Sequence, residues 1–362
     1  MSNKERGEQI RRQIIRDVRH HPIDIAKHIA TIFSISAQAV NNHIKRLETE
    51  GWLNSSGTGK GKRYFLGDLR QYKSLFPLTE GFTEDSVWRD YYAFVFDGLP
   101  ENIVDICHYG FTEMVNNVID HSGGEQVYIS VVRDKEKIVI AVVDDGEGIF
   151  RKIKRLCDLS DERQALFELS KGKLTTDPDN HTGEGIFFTS RVFDEFEIES
   201  CGIRFSHDDT FDFDFILESS ISRDKDGTVV YMLINRDSTR QIQAVFDDYA
   251  GPDEFQFNKT IIPVRLAQYG NEKLVSRSQA KRLLARLERF HYVIFDFEGV
   301  LAIGQAFADE IFRVYAQSHP EITLLPDNME PNVDKMVSRA IASRQANHPV
   351  SQADTIDQVK RK

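Results

Sequence analysis

A chain of 362 residues exceeds one ordinary hydrophobic core and suits two or three domains, three being the working division. Its 40% hydrophobic and 28% charged residues are those of an ordinary soluble protein. No stretch approaches the roughly 18 unbroken apolar residues of a membrane span, so no membrane partner is expected. Net charge is −11, yet residues 1–75 hold 14 Lys and Arg against 7 Asp and Glu. Such a basic end on an acidic body suits nucleic acid, because affinity for a phosphate backbone comes largely from counterion release by Lys and Arg. The opening MSNKERGEQIRRQ is charged and lacks the apolar stretch of a secretory signal, so a cytoplasmic location is expected. Cys107, Cys157 and Cys201 have neither metal-ligand nor disulfide spacing and read as small buried hydrophobes.

In chain order, the first helical pattern runs from Gly7 to His20, with Ile10, Ile14, Ile15 and Val18 on one stripe. A short second helix fits Ile23 to Phe33. A third begins after Ser34 or Ser36 as N-cap and places Val40, Ile44 and Leu47 on one face. Next, the Gly-rich basic run NSSGTGKGKRYFLG between short apolar stretches reads as a hairpin. Three helices and a hairpin resemble the winged helix-turn-helix of bacterial regulators. That resemblance implies that Gln38, Asn41, Asn42, Lys45 and Arg46 face double-stranded DNA, with Lys60, Lys62 and Arg63 on the wing. A winged helix that contacts only protein is the alternative; the basic wing favours nucleic acid.

The segment from Ile103 to His121 reads as one amphipathic helix that puts Glu113 and Asn117 on the same face, with His121 a turn further on. A carboxylate and an amide so placed suit holding a divalent ion and orienting a water. Two strand-like runs follow, VYISVVR and KIVIAVVD, then Asp144-Asp145-Gly146-Glu147-Gly148. A second glycine pair, Gly183 and Gly185, opens an apolar helical run, and glycines at a helix start form a phosphate cradle. A strand-end carboxylate such as Asp144 suits an exocyclic amine. Further on, EFEIESC, DTFDFDFILESS and GTVVYMLINRD read as strands, with Phe211, Phe213 and Phe215 as core.

The order of a Glu/Asn helix, then Asp-x-Gly-x-Gly, then a loop, then Gly-x-Gly before a helix resembles the GHKL ATPase superfamily, an α/β two-layer sandwich (the Bergerat fold). Within it, TEMVNNVIDH is most similar to the anti-sigma-factor kinases. The resemblance implies ATP and Mg²⁺ as cofactors. It makes Asn117 the metal ligand, Glu113 the general base and Asp144 the partner of the adenine amine. Gly146 and Gly148 would shape the base pocket, while Gly183 and Gly185 receive the phosphates. The stretch from Arg151 to His181 would be the ATP lid, from which Lys171 or Lys173, and more weakly Thr175 and Thr176, reach toward the phosphates.

The last part alternates strand, helix, strand, helix: NKTIIPVRLAQYG, SRSQAKRLLARLERF, YVIFDFEGV, GQAFADEIFRVYAQSH. The pattern Phe295-Asp296-Phe297-Glu298-Gly299-Val300, then Gly304-Gln305-Ala306-Phe307, resembles the STAS-like fold of anti-sigma-factor antagonists. Those antagonists carry a phosphoacceptor serine at this helix start. Gly304-Gln305-Ala306-Phe307 has no hydroxyl, so no phosphorylation switch is expected there. Asp296 and Glu298 read as a polar strand end or helix cap before an acidic site, and Gln305, Asp309 and Glu310 as a recognition surface.

The domains expected are therefore 1–70, a winged helix; 85–240, the GHKL unit; 255–345, the STAS-like unit; and 346–362, a flexible tail. Together they suggest an ATP-responsive regulator that binds DNA, with a protein partner on the STAS-like domain and a homodimeric assembly. Two other readings stay open: an active ATPase or Ser/Thr kinase acting on a partner in trans, and an interaction scaffold in stress or phage defence.

Overall fold

Three helices open the chain in a computed structural model that describes residues 3–174, 183–208, 214–218, 227–251, 257–268 and 272–347. They are α1 (Asn3–Asp17), α2 (Ile25–Phe33) and α3 (Ala37–Thr49). Helix α1 starts earlier and stops sooner than its apolar stripe suggested. The His20 and His21 amides both turn back onto the Asp17 carbonyl. The two serines between α2 and α3 divide the work of capping. Ser34 takes the left-handed conformation (φ 51°) that closes α2, and the Ser36 hydroxyl accepts from the Ala39 amide to open α3. An antiparallel hairpin, β1 (Leu53–Ser56) and β2 (Arg63–Leu66), follows with Leu53 opposite Leu66. Ile14, Ile25, Ile29, Val40, Ile44 and Leu53 form the core of this unit. Each such side chain contributes about 1.5–3 kcal/mol of burial before entropy is counted.

The main sheet begins directly after the hairpin with β3 (Arg70–Pro77), a strand not singled out in the sequence and lying ahead of residue 85. Helix α4 (Glu84–Val87), a π-helical stretch Trp88–Tyr92 and α5 (Ala93–Phe96) lead to α6 (Glu101–Asn117), which ends in a π-helical turn, Val118–Ser122. Strands β4 (Gln126–Arg133) and β5 (Lys137–Asp144) come next. Helices α7 (Ile149–Cys157), α8 (Glu162–Ser170) and α9 (Gly185–Val192) then precede β6 (Glu195–Ser200), β7 (Ile203–Asp208), β8 (Phe215–Glu218), β9 (Val229–Asn235) and α10 (Ile242–Asp248). The seven strands lie in the order β3-β4-β5-β9-β6-β7-β8, every neighbour antiparallel.

Alternation decides which face the helices cover. Val127, Ile129 and Val131 of β4 and Ile138, Ile140 and Val142 of β5 are buried in one core with Ile103, Ile106, Phe111 and Val115 of α6. Much of the stretch expected to be a lid is instead ordered helix, because Phe150, Ile153, Ala165 and Leu166 of α7 and α8 belong to this same core. Thr175, Thr176, Phe211, Phe213 and the Phe215 side chain lie outside the described residues.

The C-terminal unit is a parallel sheet, β10 (Lys259–Pro263), β11 (Tyr292–Asp296) and β12 (Thr323–Asp327), in sequential order. Its crossovers are α11 (Arg277–Leu284) and the segment α12 (Gln305–Asp309), Glu310–Tyr315 and α13 (Ala316–Ser318); α14 (Pro331–Asn347) closes it. Strand β12 and α14 go beyond the four elements read from the sequence. Residues 348–362 lie outside the described residues. Phe167, Phe187 and Phe188, from α8 and α9, join Phe257, Phe290 and Phe295 in one buried cluster, so this unit and the main sandwich share apolar packing. Among the described residues, no helix is long and apolar enough to cross a membrane.

Candidate functional site

Helix α6 buries one face in the core and turns Glu113 and Asn117, one turn apart, into a cavity of about 150 Å³. Asp144, Ile198, Thr228 and Val230 line it from the sheet, while Gly148, Ile149, Lys152 and Ile153 line it from the start of α7. Leu169 and Leu174 close another side, with Gly183, Gly185 and Ile186 at the entry to α9. Of the residues expected at a nucleotide site, Glu113, Asn117, Asp144, Gly148, Gly183 and Gly185 thus meet around one space.

Asp144 ends β5, and its Oδ1 accepts the Gly146 amide at 2.9 Å. Burial pushes this carboxyl above the usual carboxylate range, with hydrogen bonds from Gly146 and Thr228 offsetting part of the rise. Its neighbour Asp145 turns to the backbone instead, where Oδ1 takes the amides of Glu125 (2.8 Å) and Gln126 (3.0 Å) and fixes the start of β4. Gly148 has φ 90°, and a Cβ there would sit 2.6 Å from Ser200 Oγ. Gly183, at φ 73°, lies against the Leu174 backbone. Gly146 does not line the cavity; a Cβ there would collide with the Ser122 carbonyl, so the glycine sets the turn rather than a wall. A Cβ on Gly185 would collide with the Glu113 carboxylate, which places that acid at the first turn of α9.

The Asn117 Nδ2 is buried and has no hydrogen-bond partner among the described residues. Leaving such a group unpaired costs about 1–3 kcal/mol, a cost a ligand would remove. The orphaned Nδ2 is a donor and suits an oxygen of a ligand, and the Oδ1 of the same amide is the atom that would meet Mg²⁺. With a carboxylate acceptor and two close-approach glycines before a helix, the residues present fit Mg-ATP.

Lys171 corrects the sequence reading. Its side chain is 2% exposed, its Nζ is 2.8 Å from Glu168 Oε1, and it donates to the Ala285 carbonyl at 2.9 Å. It is drawn into the C-terminal unit and does not line the cavity, because the carbonyl end of α11 and a buried carboxylate offer an ammonium more than a solvated loop does. Lys173 donates to the Arg289 carbonyl at 3.1 Å and lies over the Phe257 and Phe290 rings. Lys152 and Thr228 line the cavity although sequence reasoning passed over them. Lys152 was discoverable, one helical turn after Gly148; Thr228 joins only because β9 pairs with β5.

On the N-terminal unit, Gln38, Asn42, Lys45 and Arg46 of α3 and Arg63 of β2 are exposed, and Asn41 and Lys62 half-buried. Two of these cations already have partners. Arg46 Nε is 2.6 Å from Glu50, and Lys62 Nζ is 3.2 Å from Glu48. The Lys60 side chain lies outside the described residues. In the C-terminal unit, Asp296 Oδ1 accepts the Glu298 amide and Asn328 Nδ2, as a strand-end cap does. Asp309 pairs with Arg313 at 2.5 Å and Glu310 is mostly buried near Arg277 and Lys281, so their charge is largely met within the unit.

Residues 87–203 match the histidine kinase-like ATPase domain, and residues 279–334 match a STAS-like domain of unknown function. The first match runs from the end of α4 to the start of β7 and covers most of the cavity; the second runs from α11 into α14. No curated protein matches the chain. This is a multidomain α/β protein with an ATPase domain of the GHKL type followed by a STAS-like domain, a pairing that fits a regulatory ATP-binding protein.

Proposed function

We propose that this protein is an ATP-responsive regulator in which a GHKL-type site binds Mg-ATP and a winged helix binds double-stranded DNA. The observation that carries the reading is the meeting of Glu113, Asn117, Asp144, Gly148, Gly183 and Gly185 around one cavity, with an unpartnered Asn117 amide. Asp144 would accept from the adenine amine and Asn117 would hold Mg²⁺. The amides at the start of α9, behind Gly183 and Gly185, would take the phosphates.

For the N-terminal unit, the support is three helices with a basic hairpin and the exposed polar face of α3. The unit is joined to the ATPase domain: Arg19 pairs with Asp97 and lies over the Phe94 ring. Nucleotide therefore changes DNA affinity to the extent that the two arrangements of the ATPase domain hold ATP unequally. The reading includes a cytoplasmic homodimer and a protein partner on the STAS-like domain.

DNA binding measured with and without Mg-ATP tests it, in the wild type, Asn117→Ala and Glu113→Gln. Wild type and Glu113→Gln should respond to ATP, and Asn117→Ala should not. Equal DNA affinity in every condition would remove the coupling. A second reading, hydrolysis or phosphoryl transfer to a partner, draws on the closeness of Glu113 to the first turn of α9. On that reading Glu113→Gln also lowers phosphate release by about 10²–10⁴-fold while nucleotide still binds.

A further inference from the structure

A triphosphate brings several negative charges into this cavity, and the described lining already holds two carboxylates, Glu113 and Asp144. The cations that the following segment offers are engaged elsewhere: Lys171 with Glu168 and the Ala285 carbonyl, Lys173 with the Arg289 carbonyl. Residues 175–182, TTDPDNHT, contain no Lys or Arg. Among the described lining residues, Lys152 is the sole Lys or Arg.

Its position is built by the fold. Lys152 sits one turn into α7, between the lining residues Ile149 and Ile153, and its amide donates to the Gly148 carbonyl. The ammonium donates to the His121 carbonyl at 2.6 Å, in the π-helical turn that continues α6 beyond Asn117. An ammonium has three donors, so this bond leaves two for ligand oxygens.

Resting on the nucleotide reading, we infer that Lys152 is the phosphate-binding cation of this site. Held against His121, it takes a non-bridging polyphosphate oxygen and makes the site select nucleoside di- and triphosphates over nucleosides. A lysine that served only to cap the end of α6 would support every ligand alike.

Calorimetric titration of the full chain with ATP, ADP and adenosine, at low and high salt, separates these roles. Wild type should prefer ATP and ADP to adenosine, and that preference should weaken with salt. Lys152→Gln should lose about tenfold or more in ATP and ADP affinity, as expected for one charge-assisted hydrogen bond, with adenosine unchanged. Lys152→Arg should recover most of the loss. Equal losses for all three ligands, or none, would overturn the proposal. So would a wild type that binds adenosine as tightly as ATP, a result that needs no variant to fold. A wild type that binds none of the three overturns the nucleotide reading itself, and with it this inference.

Discussion

Asp144 and Asp145 are adjacent and chemically alike, yet only Asp144 faces the cavity, while Asp145 holds the backbone of β4. Burial raises the Asp144 carboxyl, so its charged form is disfavoured in the folded protein. The sign follows: as pH falls, Asp144 takes up its proton before an ordinary carboxylate with pKa about 3.9 does. Protonation turns one acceptor oxygen into a donor and so weakens its hold on an amine early in the descent, while folding stability gains slightly. We expect ATP affinity in the wild type to begin falling at a pH above that at which an ordinary aspartate protonates. Asp144→Asn should bind ATP weakly, with that step in the titration gone and its thermal midpoint unchanged or raised. Glu113, Asn117 and Asp144 were legible because helical spacing and a strand end reveal which way a side chain points. Lys171 was not, since its partners Glu168 and Ala285 come together only through packing.

At the scale of elements, the turn from β5 into α7 depends on Gly148, whose φ of 90° excludes a side chain and whose missing Cβ leaves room for Ser200 Oγ. Gly148→Ala should destabilise the protein by about 1–3 kcal/mol, read as a lower thermal midpoint. Adding Ser200→Ala removes the nearest collision and leaves the backbone strain and the 3.2 Å approaches to Cys201 Sγ and the Gly227 carbonyl, so it should recover only part of the loss. Full recovery would mean that the backbone conformation costs nothing. Helix α6 and strands β4 and β5 could be read from period alone, because each buries one clean face; β9, with Met232, Leu233 and Ile234 all buried, reads from its apolar run. Strands β3 and β7 could not. Strand β3 is an edge strand with Lys73, Leu75 and Pro77 exposed, and β7 is half-buried along most of its length. Of the Arg151–His181 stretch expected to be the ATP lid, the described part builds two helices whose Ile153, Ala165 and Leu166 join the core, and residues 175–181 lie outside the described residues.

For the whole molecule, the Gly183–Gly185 end of the cavity and the STAS-like domain are one packed structure. Helix α9 starts at Gly185 in the cavity and carries Phe187 and Phe188 into the cluster around Phe257. Beside it, Lys171 and Glu168 form an ion pair with both side chains nearly sequestered, and Arg286 stands 3.8 Å from Glu168. Lys171→Met leaves Glu168 buried with only that distant partner, and should cost about 3–5 kcal/mol in urea unfolding. Replacing both, as Glu168→Leu with Lys171→Met, should return most of the stability, because no charge remains buried unpaired. A double variant as weak as the single one would show that the contact acts by packing rather than by charge.

Sequence alone determined the parts: the three-helix-and-hairpin pattern, the amphipathic α6 with its Glu113 and Asn117, the glycine turns, and the strand–helix alternation of the last part. Those features are local, set by side-chain period and by backbone conformations that only glycine enters freely. Tertiary structure decided what the parts face. It put Lys152 rather than Lys171 at the cavity, gave Asp145 to β4, and fused the STAS-like core to α9. Apart from the helical spacing that carries Lys152 to the cavity behind Gly148, these are choices between partners far apart in the chain, made by burial and charge once the layers close.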